Sequence, residues 1–193
     1  IMIISCCSWA LSGSEEKILE DLASVGLRNI DFRPFDFTSD EMRVYMGEVD
    51  LKPTCMATAF GMPDGVALDS VAHGQRMLAL NHTQDALDYA ARLCIERAYL
   101  LPGETTDADA LARYQESVTI LADYAQQLNI KLCIEHFPDK ALPTVIDTVD
   151  FIDRCGHENL YLLFDIGHAQ ISKESPVEAI KNAGPRLGYV HLD

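Results

Sequence analysis

The run "ALARYQESVTILADYAQQLNIKLCIEHF", residues 110–137, carries two different periods in one stretch. Through Asn129 its apolar residues recur at the 3.6-residue spacing of an amphipathic helix. From Lys131 the segment "KLCIEHF" is short, apolar and rich in β-formers, as a buried strand is. The same pairing recurs along the chain. Strands are predicted in "MIISCCSW" (2–9), "NIDFRPF" (29–35), "KPTCMATAF" (52–60), "RAYLLPG" (97–103), "LYLLFDIGH" (160–168) and "LGYVHLD" (187–193). Helical spacing fills "EEKILEDLASVG", "QDALDYAARLC" and "TVIDTVDFIDRCG" between them. Capping boxes at Ser12 with Glu15, Thr38 with Glu41 and Ser175 with Glu178 mark helix starts, the last reinforced by Pro176. Gly26, Gly156 and Gly184 stand where helices should stop.

Alternating strands and helices, with strands that are almost continuously apolar, predict a parallel sheet covered by helices. Two architectures satisfy this pattern, an open doubly wound sheet and a (β/α)₈ TIM barrel. No G-x-G-x-x-G turn follows the first strand, and polar residues end several strands instead of gathering at one crevice. Both features favour the α/β barrel. Only seven strands can be found in 193 residues, whereas complete barrels run to about 250. Residues 1–193 are therefore expected to form a single TIM-barrel-like domain, incomplete at its C-terminal end, whose last βα unit would lie beyond Asp193.

Composition narrows the function. A formal charge of −15 with no Lys/Arg cluster argues against nucleic acid. No apolar run approaches the roughly 20 residues that span a bilayer, and the first residues lack the positive region of a signal peptide, so a cytoplasmic protein without membrane contact is expected. Six scattered cysteines with no C-x-x-C pair read as reduced, buried thiols.

Period-two alternation turns Glu135 inward at the end of the fifth strand and Tyr189, His191 and Asp193 inward on the seventh. Asp165 ends the strand between them. Three neighbouring strands thus bring a Glu, an Asp and a His to one spot, and Arg33, Lys52 and Lys131 are too few and too dispersed to neutralise it. Buried carboxylates need a partner, and a divalent cation is the economical one. Two carboxylates and an imidazole suit Mn²⁺, Co²⁺, Zn²⁺, Fe²⁺ or Mg²⁺ without choosing among them.

Further residues carry two readings each. Arg33 shares an inward face with Asp31, either as a structural ion pair or as a binder of a substrate phosphate or carboxylate. Trp9 closes the first strand and either packs the core or forms an apolar wall against a sugar ring. Asp193 would support His191 through its second ring nitrogen. His136 points away from the barrel axis toward a helix-side hydrogen bond, and His73, His82 and His157 read as surface or loop residues.

Taken in order, "CIEHF", "FDIGHA" and "YVHLD" resemble the xylose isomerase-like TIM-barrel superfamily, in particular its sugar phosphate isomerase/epimerase branch. The segment "QRMLALNHTQDALDYAARLCIERAYLLPG" is similar to a helix and fourth strand of that family. The resemblance implies a metal held by Glu135, Asp165, His191 and a further Glu on an eighth strand. It implies that His168 faces the substrate, that Glu135 is the catalytic base or one of a pair, and that the protein forms dimers or tetramers. The expected activity is isomerisation or epimerisation of a small sugar, sugar phosphate or polyol by proton removal beside a carbonyl. A dehydratase or lyase of the same superfamily and a catalytically degenerate scaffold are the alternatives. Endonuclease IV-like repair would need extra histidines on the early strands, and "CCSW", "DFRPF" and "TAFGM" have none.

Overall fold

The computed structural model describes residues 2–192. Among the described residues there are seven strands: β1 (Cys6–Cys7), β2 (Asn29–Phe32), β3 (Lys52–Ala57), β4 (Arg97–Leu100), β5 (Lys131–Glu135), β6 (Leu160–Asp165) and β7 (Leu187–His191). They pair in sequence order, every neighbour parallel. Seven helices connect them: α1 (Glu15–Ser24), α2 (Asp40–Glu48), α3 (His73–Arg92), α4 (Ala108–Gln127), α5 (Val145–Cys155), α6 (Ile166–Ile171) and α7 (Pro176–Ala183). None of them is long and apolar enough to cross a membrane. The sheet curls, so that the Tyr189 hydroxyl on β7 reaches the Asp31 carboxylate on β2 at 2.9 Å. This is the curled, incomplete TIM barrel that the strand pattern predicts.

Strand alternation splits the core into two layers. Leu132, Ile134, Leu160, Leu162 and Phe164 point outward into the large apolar layer beneath the helices. Cys55, Ala57, Tyr99, Cys133 and Leu163 point inward and form a small core on the barrel axis, flanked by Trp9, Tyr161 and Tyr189. Small residues and thiols suit this inner layer, because strands converge there and leave little volume.

Two register shifts interrupt the alternation and matter for the site. Between β2 and β3 the partners step from Ile30 with Pro53 to Asp31 with Cys55, leaving Thr54 as an extra residue. Between β6 and β7 they step from Leu162 with Leu187 to Leu163 with Tyr189, leaving Gly188. A bulge bends a strand and re-aims its side chains. At Gly188 no side chain would fit, since a Cβ would meet the Tyr161 Cβ at 2.5 Å and the Cys133 Sγ at 2.7 Å.

The helix signals hold with local displacements. Ser14 and Ser39, not Ser12 and Thr38, cap α1 and α2 by accepting the backbone N–H of Lys17 and Met42. Gly156 ends α5 in the left-handed conformation at φ 66°. The first strand is much shorter than the apolar run predicts, two paired residues followed by a 3₁₀ turn over Ser8–Ala10. The sixth strand stops at Asp165, and the "IGH" that follows is already helix, because the Asp165 side chain caps it.

Candidate metal centre at the mouth of the barrel

Glu135 and Asp165 are the last residues of β5 and β6, 4% and 1% exposed. His191 is the last residue of β7, and its Nδ1 lies 3.4 Å from Glu135 Oε1 and 3.9 Å from Asp165 Oδ2. His168, in α6 just after β6, brings its own Nδ1 to 3.7 Å from the same Glu135 oxygen and 3.8 Å from the same Asp165 oxygen. Four residues selected by strand alternation and by resemblance thus converge at the C-terminal ends of adjacent strands, where barrel active sites are built.

The two imidazoles are held differently. His168 Nδ1 is 2.9 Å from the backbone carbonyl oxygen of His136. A carbonyl only accepts, so this nitrogen carries the hydrogen and its lone pair is not available to a cation; Nε2 is the nitrogen left for other partners. His191 Nδ1 faces the carboxylates directly. Burial opposes charging of His191, yet the hydrogen bond that the charged ring's Nδ1–H makes to Glu135 and the negative charges of Glu135, Asp31 and Asp165 outweigh that, and its pKa is raised. An imidazole that attracts a proton this way attracts a divalent cation for the same electrostatic reason.

His136 completes the frame from the outer side. It is fully buried, stacks on Phe164 with ring centroids 5.7 Å apart, and accepts the Asp165 backbone N–H on Nε2 at 3.1 Å. This is the hydrogen bond away from the axis that alternation predicts. Burial pushes its pKa down to about 4, so it stays neutral and fixes the backbone that carries Asp165.

The chemistry of this donor set fits a divalent cation. Two buried carboxylates meet two imidazoles, and within 4.8 Å of one another lie donor atoms of Glu135, Asp165 and His168. A second group of three, Cys7, Asp31 and His191, is equally close-set.

The residues with two readings separate as follows. Trp9 sits in the turn after β1, against the inner core, with its ring 5.1 Å from that of Phe60. Arg33 does not pair with Asp31; its guanidinium Nε is 3.0 Å from Asp36 Oδ2, because the chain turns at Arg33 and carries Asp36 back to it. Asp31 is engaged instead by the hydroxyls of Ser5, Thr54 and Tyr189. Asp193 lies outside the described residues. His82 bonds the Phe60 carbonyl at 3.0 Å, and His157 sits 3.1 Å from Asp123 Oδ1 on the loop before β6. Sequence reasoning placed Asp31 inward but not its hydroxyl partners, since one of them comes from a bulge that no periodicity shows.

A parallel barrel with carboxylates and imidazoles clustered at the C-terminal ends of its strands defines the class, a TIM-barrel protein with a candidate metal centre at its mouth. A family model described as xylose isomerase-like TIM barrel matches residues 19–193. The chain belongs to that family. It is 37% identical over 83 residues to a D-psicose 3-epimerase of Agrobacterium fabrum, a match covering 42% of this chain and 29% of the relative. It is 22% identical over 198 residues to an L-ribulose 3-epimerase of Mesorhizobium japonicum, covering 95% and 66%. The match to the Agrobacterium protein thus spans less than a third of that relative's length. A crystal structure of a D-psicose 3-epimerase determined in the presence of D-fructose superposes with a TM-score of 0.82 at 23% identity, over 98% of this chain and 72% of that one. This last likeness speaks for the fold.

Proposed function

We propose that this protein is a divalent-metal-dependent epimerase of a small ketose sugar, acting at the carbon next to the carbonyl. The observation that carries the reading is the convergence of three residues at the ends of three adjacent strands, with His191 Nδ1 3.4 Å from a Glu135 oxygen and 3.9 Å from an Asp165 oxygen. The 3-epimerase names of the relatives agree with it. Glu135, Asp165 and His191 would hold the cation. When bound, the cation supplies Lewis acidity toward a carbonyl and its neighbouring hydroxyl oxygen.

The residues of the chain do the rest. Glu135 takes the proton from the carbon beside the carbonyl, a step that needs its carboxylate within hydrogen-bond reach of that carbon. His168, oriented by the His136 carbonyl, offers Nε2 to a sugar oxygen. Trp9, in the turn after β1, would give the sugar an apolar wall. Return of the proton on the other face requires a second acid, the role that the family resemblance gives to a Glu on an eighth strand.

The test is incubation of the protein and Mn²⁺ with ketopentoses and ketohexoses in D₂O, followed by NMR. Deuterium at C3 together with the C3 epimer supports the proposal, and Glu135→Gln abolishes both. Loss of water from the sugar would favour a dehydratase. A protein that binds no Mn²⁺ and exchanges no C–H would be a scaffold, and the proposal would fall.

A further inference from the structure

Of the carboxylates buried among the described residues, Glu135 and Asp165 belong to the centre above and Asp31 does not. Asp31 points into the barrel from β2 and is only 3% exposed. It is unusually well served. The Ser5 hydroxyl donates to Oδ1 at 2.7 Å, the Thr54 hydroxyl donates at 2.6 Å, and the Tyr189 hydroxyl lies 2.9 Å from both oxygens. Thr54 reaches it only because the bulge between β2 and β3 turns that residue inward. Burying a carboxylate is costly even when hydrogen-bonded, and an apolar residue would fill an inner layer of thiols and aromatics at lower cost. Three strands and the chain before β1 are thus committed to keeping one negative charge inside the barrel.

The feature it faces is His191. The Nδ1 of that ring is turned to Glu135 and Asp165 on β5 and β6. Its Nε2, on the opposite edge, is buried and has no hydrogen-bond partner among the described residues. An Asp31 oxygen, the Cys7 sulfur and a ring nitrogen of His191 lie within 4.8 Å of one another, which is near enough for a hydrogen bond after a small shift or across one water. Tyr189, the donor to both Asp31 oxygens, also packs edge-on against the His191 ring at 5.9 Å.

We propose that Asp31 is a positioning residue for His191, accepting the Nε2–H directly or through one water and so keeping the lone pair on Nδ1, the nitrogen that faces Glu135 and Asp165. A neutral imidazole has one N–H to place. Held by Asp31 it sits on Nε2; without Asp31 it is free to move to Nδ1, where it would satisfy Glu135 and close the centre to a cation. Ligating histidines are commonly held this way, and removing the holding carboxylate typically costs 10–100-fold in metal affinity. The inference rests on the metal-centre reading for its functional meaning, but the tautomer itself does not depend on a metal.

The experiment therefore has two readouts. In metal-free protein labelled with ¹⁵N, at a pH where the ring is neutral, long-range ¹H–¹⁵N correlations report which nitrogen of His191 bears the hydrogen. Mn²⁺ affinity is measured on the same samples. The wild type is expected to show Nε2–H. Asp31→Asn, which keeps the shape and loses the charge, is expected to mix the tautomers and to weaken Mn²⁺ by roughly 10-fold or more. Thr54→Val removes one donor but keeps the carboxylate, and is expected to lower stability while leaving tautomer and affinity near wild type. Wild-type His191 carrying its hydrogen on Nδ1 would overturn the inference without any variant. So would Asp31→Asn with unchanged tautomer and affinity, or Thr54→Val moving both as far as Asp31→Asn does. A wild type that binds no Mn²⁺ at all would sink the metal reading instead, and the tautomer comparison would still decide the role of Asp31.

Discussion

The carboxylate of Asp165 is shared between two tasks: Oδ1 accepts the backbone N–H of His168 at 2.8 Å, while Oδ2 faces the His191 ring at 3.9 Å. The first contact caps a short helix and the second belongs to the candidate metal centre. A carboxylate that ends a strand and starts a helix can therefore be structural and functional at once.

The two tasks can be separated by substitution. Asp165→Asn retains a capping oxygen and removes the charge, so stability should change by less than about 1 kcal/mol while Mn²⁺ affinity collapses. Asp165→Ala loses both and should cost roughly 0.5–2 kcal/mol in addition. Urea unfolding of the metal-free variants beside Mn²⁺ titration checks the pair. Equal Mn²⁺ binding by wild type and Asp165→Asn would remove Asp165 from the centre.

Acid should weaken the fold through His136. Its pKa falls from the ordinary 6.5 to about 4 because it is buried. Between those values the unfolded chain binds a proton that the folded chain refuses, so the stabilisation is present above pH 6.5 and is lost as pH falls toward 4. The difference sets an upper limit of about 3 kcal/mol on the loss. Other groups titrate over the same range, so the measurement is a comparison. His136→Gln keeps an acceptor for the Asp165 N–H and should show a shallower fall in urea midpoint between neutral and mildly acidic pH. Parallel curves for the two proteins would contradict the assignment.

Gly188 marks a place where packing allows no side chain. With a Cβ held against Tyr161 and Cys133, Gly188→Ala should destabilise by roughly 1–3 kcal/mol, the usual range for overpacking a filled core. Because Gly188 sits between Leu187 and Tyr189 at the bulge, the strain should spread along β7 to His191 and weaken Mn²⁺ binding too. Gly47, in α2, where an added Cβ meets nothing within 4 Å, is the control, and Gly47→Ala should leave Mn²⁺ binding near wild type and stability equal or higher.

Period-two alternation turns Glu135 and His191 inward from the sequence alone, and Asp165 follows from its place at the end of the strand between them; all three stand at regular strand ends. The same reasoning found the outward turn of His136. It gave the wrong partner for Arg33, since after Phe32 the chain leaves the strand and alternation no longer applies; Arg33 meets Asp36 three residues on. It also missed the hydroxyl cage of Asp31. Thr54 enters that cage through an inserted residue and Tyr189 through the curl of the sheet, and neither leaves a periodic trace. The run "FDIGH" reads as strand because it continues an apolar stretch, whereas the cap made by Asp165 starts α6 at Ile166.

His168 remains the sharpest test of how the centre is divided between cation and sugar. By distance alone it competes with His191 for a place among the ligands, since Glu135, Asp165 and His168 form a close group of donors. Its hydrogen bond argues otherwise. Nδ1, the nitrogen near both carboxylates, donates to the His136 carbonyl at 2.9 Å and so has no lone pair for a cation. His168→Gln should therefore leave Mn²⁺ affinity almost unchanged and lower turnover of the ketose substrate by roughly 10²–10⁴-fold, the span associated with a lost acid–base or polarising partner. His191→Gln should do the reverse first, losing the cation and with it all turnover. Measuring Mn²⁺ dissociation constants and turnover for both variants checks the division. A His168→Gln protein that loses Mn²⁺ as completely as His191→Gln would move His168 into the ligand set and require Nε2, not Nδ1, to face the cation.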